Sequence, residues 1–443
     1  MMHRAPIEPN RRGFLKTTAA MVPYFAWTTP TFANHSPNDR PKIALIGSGG
    51  IAKWDGPDHA RLADFIAVCD VDSKHAEWGK AHEKIGKGKA EIYSDYRRVL
   101  DRNDIDAVSI STTDHWHVKI AIEALESGKH VFCQKPLTLT LEENQLIRRA
   151  CEKHSDKTFM VGTQQRAWKD FFLRAVNMVQ KGLLGKIKKV IVGIDGSRVG
   201  GPFPEVQVPG ELDWDMWLGP APIVPYRKER THKNFRWWYE YSGGKFTDWG
   251  AHHIDIALMA LDRDKPGKGP VEIDGTDALH PVSFKDGIPQ RDDSYNTSHD
   301  FAVKCRFADG LEMVVNSRSD NGIRFEGTKG RIFVNRKKIA GLPIEQHWDK
   351  GRFDQADLIR FHNGKPHEGH KTNFYRCIRE GGLPMSDVFS HVQTMNVCHL
   401  CAIAARLGTT VKWNPIAEQI IDDPLAQSFY ARERRKEYDI LTI

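Results

Sequence analysis

Three residues of this 443-residue chain have the types and spacing to move a proton on and off a hydroxyl group: Lys135, followed at once by Pro136, and the pair Asp248 and His252. Lys135 lies in Cys133-Gln134-Lys135-Pro136, just after a short apolar run. Proline fixes the backbone beside it, so the ammonium stands on a rigid corner. An imidazole four residues from a carboxylate can be oriented by it and can titrate near neutrality, as general acid-base chemistry requires. Between 243 and 261, Ile254, Ala257, Leu258 and Leu261 form an apolar stripe at helical spacing. Asp248, His252 and Asp255, if all are helical, take another face, which leaves His252 free to meet a ligand. His253 faces away from that group and is carried only as a substrate contact. Plain helix decoration and a metal site are the alternative readings of the pair, and no metal is assigned.

A frame that could position these groups begins at Lys42. The chain reads as a strand at 42–46, a glycine-rich turn Gly47-Ser48-Gly49-Gly50-Ile51-Ala52, a helix, and a strand at 65–69 closed by Asp70. Gly47 allows the tight bend, Gly49 lets backbone approach a pyrophosphate, and Gly50 and Ile51 open the helix, with Ala52 where a third glycine would pack helix on strand. Asp70 stands at the spacing from which a carboxylate binds ribose hydroxyls. It would repel a 2′-phosphate, which favours NAD over NADP. The alternation continues with a strand at 107–111, a helix at 117–128, a strand at 131–133 and a helix at 141–154. Thr112, Asp114, Trp116 and His117 follow one strand, and Gln134 and Lys135 the next. Both stretches therefore fall at the carboxyl edge of a parallel sheet, where ligands bind in open α/β folds. Thr112, Asp114, His117, Gln134 and Lys135 are read as cofactor contacts and Trp116 as a substrate contact.

The Gly47 turn, Thr113-Asp114-His115-Trp116-His117, Lys135-Pro136 and the Asp248-to-His252 spacing together resemble the glucose-fructose oxidoreductase, inositol dehydrogenase and MocA (Gfo/Idh/MocA) family, in its exported bacterial type. The resemblance spans residues 40 to 410. It implies a nicotinamide-binding Rossmann domain, then an α/β domain whose open sheet lines the substrate cleft and often mediates oligomers, here a dimer or tetramer. By position it implies that Lys135 contacts the nicotinamide and the reacting hydroxyl, that Asp248 binds or orients, and that His252 is the acid/base. One residue departs from the pattern. The family usually has Glu-Lys-Pro, and Gln134 removes a charge that would favour the ammonium form of Lys135. Arg166 falls where relatives line the cleft. The aromatic stretches 213–217 and 235–241 suit the flat faces of a sugar ring, with Arg236 and Tyr239 as its contacts, or else pack between domains.

The fold expected is α/β: a doubly wound parallel Rossmann sheet at 40–160, then an α+β domain at 161–370 with a large, mostly antiparallel open sheet suggested by strands at 187–194, 301–307, 311–316 and 331–334. C-terminal helices, one region of them at 373–407, and a charged tail close the chain at 371–443. Ahead of all this, Arg11-Arg12 followed by a short apolar stretch at 17–27 and Thr31-Phe32-Ala33 reads as a twin-arginine signal peptide over 1–33, with no membrane span left after cleavage. The partners expected are the twin-arginine export machinery and a small sugar. The net charge of +7 is scattered rather than gathered into a stripe, which argues against nucleic acid. Seven cysteines form no disulfide framework, and Cys398 and Cys401 read as helix packing.

A periplasmic enzyme has no pool of soluble nicotinamide to draw on. The reading is therefore an NAD(P)-dependent sugar oxidoreductase with a tightly held cofactor recycled in place. A redox-neutral glycosidase that oxidises, eliminates, hydrates and re-reduces would use the same residues, with Tyr239, Tyr241 or His117 as an extra acid/base. A non-catalytic carbohydrate-binding protein is the alternative of another class.

Overall fold

The computed structural model describes residues 40–347 and 353–440, so the signal-peptide reading over 1–33 lies outside the described residues. Six parallel strands form the first sheet: β1 (Lys42–Ile46), β2 (Asp64–Cys69), β3 (Glu91–Tyr93), β4 (Ala107–Ile110), β5 (His130–Cys133) and β6 (Phe159–Val161). Their order is β3-β2-β1-β4-β5-β6, the doubly wound arrangement. Ile43, Ala44, Leu45 and Ile46 of β1 are all buried, because helices cover both faces of a central parallel strand. The helices α1 (Ala52–Ala60) and α2 (Ser73–Ala81) follow β1 and β2. Asp72 caps α2 by accepting from the Lys74 backbone at 2.9 Å.

The second sheet has ten strands. Its order runs Ile339–Ala340, Gly330–Val334, Gly322–Gly327, Ile187–Gly193, Glu312–Asn316, Asp300–Arg306, Glu272–Asp274, Thr410–Asn414 and Gln419–Ile421, with Ala278–Leu279 pairing beside Asp300–Arg306. All neighbours are antiparallel except Ile187–Gly193 with Glu312–Asn316. The helices Gly250–Ala260 and Val388–Leu407 join the sheet in one large apolar core. Residues half-buried in alternation on these strands carry ion pairs across them, such as Lys189 with Glu312 at 2.8 Å.

The helical region expected at 373–407 is two helices, His370–Glu380 and Val388–Leu407. Gly381 and Gly382 take φ of +71° and +86° just ahead of Pro384, a combination that stops a helix. The break lets the second helix run between the two cores: Val388 and Val392 pack in the Rossmann core, while Met395 to Ala405 pack against the large sheet. Tyr438 and Ile440 of the tail also pack in the Rossmann core. Among the described residues no helix is long and apolar enough to cross a membrane.

Candidate active site

A cavity of about 500 Å³ follows the carboxyl ends of β1, β2, β4 and β5. One wall is the glycine-rich turn, Asp70, Thr112, Asp114 and Gln134 to Pro136. The other comes from the second domain: Met216, Trp217, His232, Phe235, Arg236 and Asp248. Gly47 has φ of +83°, and a Cβ there would lie 2.6 Å from the Thr112 nitrogen, so glycine is required. A Cβ at Gly50 would meet nothing within 4 Å, which leaves the start of α1 open. No side chain caps that helix, and free N–H groups at a helix start suit a phosphate. The Asp70 carboxylate accepts from the Ser48 nitrogen at 2.7 Å and the Asp72 nitrogen at 2.9 Å, while burial raises its pKa. A dinucleotide fits this combination of bare turn, open helix start and fixed carboxylate.

At the other end, Lys135 Nζ donates to Asp248 Oδ1 at 2.7 Å and to the Asp248 carbonyl at 2.9 Å. Arg236 approaches Asp248 Oδ2 at 3.8 Å. Burial would raise the Asp248 carboxyl, but the Lys135 ammonium and the Arg236 guanidinium outweigh it and hold the group well below the usual carboxylate range. Asp248 thus gives the Lys135 ammonium a carboxylate partner. The Lys135-Pro136 peptide is cis. Asp114 accepts from Ser242 Oγ at 2.6 Å, and burial pushes its carboxyl up to about 7 against the opposing pull of Ser242 and Lys135.

That shift has a consequence for stability. The native state holds the Asp114 proton to about pH 7, whereas the unfolded chain releases it near the ordinary carboxylate value. Stability from this group is therefore greatest at low pH and falls as pH rises towards 7. Relative to Asp114→Asn, the wild type is expected to lose on the order of 3 kcal/mol between pH 5 and pH 8, measured by urea unfolding at each pH.

His252 lies outside the residues that line the cavity. Burial pushes its imidazole well below the ordinary value, with Lys135 the next contribution, so it is neutral at pH 7 and able to accept a proton. Its Nδ1 is buried without a partner. The expectation that Asp248 orients it is corrected: the backbone stays helical through Trp249, yet Asp248 is taken by the Lys135 ammonium instead.

Gly47, Gly49, Gly50, Ile51, Asp70, Thr112, Asp114, Trp116, Gln134, Lys135, Arg236 and Asp248 all line the cavity. Four other expected contacts do not. Arg166 is buried in an ion pair with Asp255 at 2.7 and 2.8 Å and reaches Asp264 at 3.1 Å. His253 is held between the Asn321 amide oxygen at 2.9 Å and the Gln165 side chain at 3.3 Å. Tyr239 is buried with its hydroxyl 3.3 Å from both Ser298 and His280, under the Arg406 guanidinium. His117 is kept neutral by burial and so has one N–H to give, with Nδ1 2.7 Å from the Pro136 carbonyl and Nε2 3.2 Å from that of Thr112. Each of these polar groups is occupied in holding segments together.

Gln134 faces a carboxylate that a glutamate would repel. Its amide donates to Asp55 of α1, which also pairs with buried Lys371 at 3.0 Å. A Cβ at Gly162 would lie 2.8 Å from the Gln134 oxygen, so the side chain has little room to turn away. Neither Asp55 nor Lys371 carries a recognisable spacing signal; they meet only through the fold. Gln134→Glu is expected to set two carboxylates together and cost about 1–3 kcal/mol in denaturant unfolding, with most of the loss recovered when Asp55→Asn is added.

Known proteins agree with this architecture. Residues 41–163 match the model of an oxidoreductase family NAD-binding Rossmann fold, and residues 174–440 match that family's C-terminal alpha/beta domain. The WlbA dehydrogenase from Bordetella pertussis, solved with NADH and UDP-GlcNAcA, has a TM-score of 0.59 at 18% identity over 84% of this chain and 99% of its own. The aldose-aldose oxidoreductase from Caulobacter crescentus, complexed with glycerol, has a TM-score of 0.57 at 19% identity over 84% of this chain and all of its own, 100%. Such identities establish a shared fold. Among curated sequences, a glycosyl hydrolase family 109 protein of Shewanella sp. (strain W3-18-1) is 29% identical over 40% of this chain and 44% of its own length. An alpha-N-acetylgalactosaminidase of Shewanella oneidensis is 32% identical over 33% of each. The match thus spans less than half the length of these relatives.

Proposed function

The chain belongs to the Gfo/Idh/MocA oxidoreductase family, and from that premise we propose that it is an exported NAD-dependent enzyme oxidising a hydroxyl of a sugar or sugar derivative, with its cofactor kept between turnovers. The observation that carries the reading is the Lys135 ammonium, fixed by Asp248 at the inner end of a cavity fit for a dinucleotide. A nicotinamide bound there would take the hydride from a carbinol carbon. Lys135 has one N–H beyond the two given to Asp248, and this would hold the substrate oxygen as it loses its proton. Asp248 keeps Lys135 in place throughout, and His252, kept neutral by burial just behind the residues that line the cavity, is the proposed final acceptor of that proton.

Asp70 puts a fixed carboxylate at one end of the cavity, which supports NAD over NADP. Walls from both domains support slow exchange of the cofactor, in keeping with loading before export through the twin-arginine machinery. Trp116 and Arg236 on the cavity wall support a ring-shaped substrate with hydroxyls, and the half-buried face of the large sheet suits a homo-oligomer.

The names of the Shewanella relatives favour a second reading, a glycosidase that oxidises and re-reduces its sugar without net redox change. Asp114, with its carboxyl near 7, suits the additional proton transfers of elimination and hydration. One experiment separates the two: protein purified without added nucleotide is watched at the reduced-nicotinamide band during single additions of free sugars and of nitrophenyl glycosides. Reduction that persists with a free sugar is the expected result. Steady nitrophenol release with no lasting reduction would select the glycosidase, and a protein without nicotinamide and inert to both would overturn the proposal.

A further inference from the structure

A strap of the second domain crosses the Asp70 end of the cavity. The Ser73 nitrogen donates to the Glu211 carbonyl at 2.9 Å and the Asp213 nitrogen to the Val71 carbonyl at 2.9 Å, with a β-bridge between Asp72 and Leu212. Further along the same stretch, His232 reaches the start of α2. Asp72, His75 and His232 there present one ligand atom each, all within 4.8 Å of one another.

The spacings are informative. His232 Nε2 is 3.6 Å from Asp72 Oδ2, and His75 Nδ1 is 3.7 Å from Asp70 Oδ2. Both gaps are beyond hydrogen-bond length. Ligand atoms bound tetrahedrally at about 2.1 Å stand about 3.4 Å apart; the Asp72–His232 pair is close to that at 3.6 Å, and the His75 ligand atom lies within 4.8 Å of both. The two imidazole rings approach to 4.7 Å at 63°, edge to face, so neither stacks flat on the other. Among the described residues no hydrogen bond engages either imidazole. Asp72 spends Oδ1 on capping α2 and turns Oδ2 to His232. His232 also takes φ of +49°, a conformation a residue with a Cβ seldom adopts and one that structures retain at functional positions. Burial, with His75 next, lowers the His232 pKa, which keeps a lone pair available.

We propose that Asp72, His75 and His232 bind a divalent transition-metal cation such as Zn²⁺, clasping the two domains together across the Asp70 end of the cavity. Two imidazoles and one carboxylate suit zinc better than the hard, all-oxygen preferences of Mg²⁺ or Ca²⁺. Exposure of His232 leaves a fourth position to water. The seven cysteines, all buried, do not compete for the ion. The proposal uses only side chains of this chain and stands whichever reaction the enzyme performs.

The test is equilibrium dialysis of the full chain, stripped of metal and nucleotide, against Zn²⁺, with the metal counted by mass spectrometry. One Zn²⁺ per chain is expected at micromolar concentration. His75→Ala and His232→Ala should each weaken binding at least about 10-fold, a scale on which even outer-sphere partners act. Asp72→Asn should do the same while α2 stays capped, since asparagine caps as well as aspartate, so loss of binding in that variant is not loss of the fold. A wild type that takes up no Zn²⁺, or a His232→Ala variant that binds it undiminished, would overturn the proposal.

Discussion

Lys135→Met is expected to lower sugar-dependent reduction of bound nicotinamide by about 10³-fold, within the range that a positioned proton-handling group contributes. The substitution removes the one ammonium that, among the described residues, lies within hydrogen-bond reach of Asp248 and leaves that carboxylate with Arg236 at 3.8 Å. Cofactor content should change little, because the turn at Gly47 and the carboxylate of Asp70 lie on other loops. Rapid-mixing absorbance and the nicotinamide content of the purified variant measure the two quantities separately. Asp248→Asn should also slow the chemical step, by releasing Lys135 rather than removing it, with less change in KM than in kcat. Unchanged turnover in Lys135→Met would reduce the lysine to a structural brace.

Arg166→Met is expected to destabilise the fold by about 3–5 kcal/mol, the scale on which removing one partner of a buried ion pair acts. Asp255 accepts two hydrogen bonds from Arg166 and is itself fully buried, and Asp264 depends on the same guanidinium. The double variant Arg166→Met, Asp255→Leu should recover part of the loss, because it removes the stranded charge. Denaturant unfolding measures both. For protein that remains folded, KM for the sugar should stay near the wild-type value. A large rise in KM with little change in stability would return Arg166 to the substrate cleft.

The Arg166 result bears on what can be read from a linear chain. Arginine beside a predicted strand end has two uses, ligand and ion pair, and only the position of Asp255, far along the chain and brought in by the helix Gly250–Ala260, decides between them. His253 and Tyr239 were open to the same ambiguity, and Asn321, Ser298 and His280 occupy them. His117 is a clearer case: it sits in the expected loop, yet both its nitrogens point at carbonyls rather than into the cavity.

Local features were legible because their signals are local. The run of buried residues in β1, the glycine at φ +83° and the aspartate closing β2 are set by sterics and burial within some thirty residues, and they announce a dinucleotide fold in any context. Lys135 was legible for the same reason, at a corner after a short strand. Asp248 is recognisable as a residue of the site, but helical spacing to His252 does not reveal that its carboxylate goes to Lys135, which another loop brings within 2.7 Å. The pairing of Gln134 with Asp55 and Lys371, the elevated carboxyl of Asp114 and the meeting of Asp72, His75 and His232 had no sequence signal at all. Sequence by itself determined the fold class and which loops reach the carboxyl edge, because periodicity and backbone sterics act over short range. Only tertiary structure decided which charges meet, because burial and ion pairing depend on surfaces that residues far apart in the chain create together.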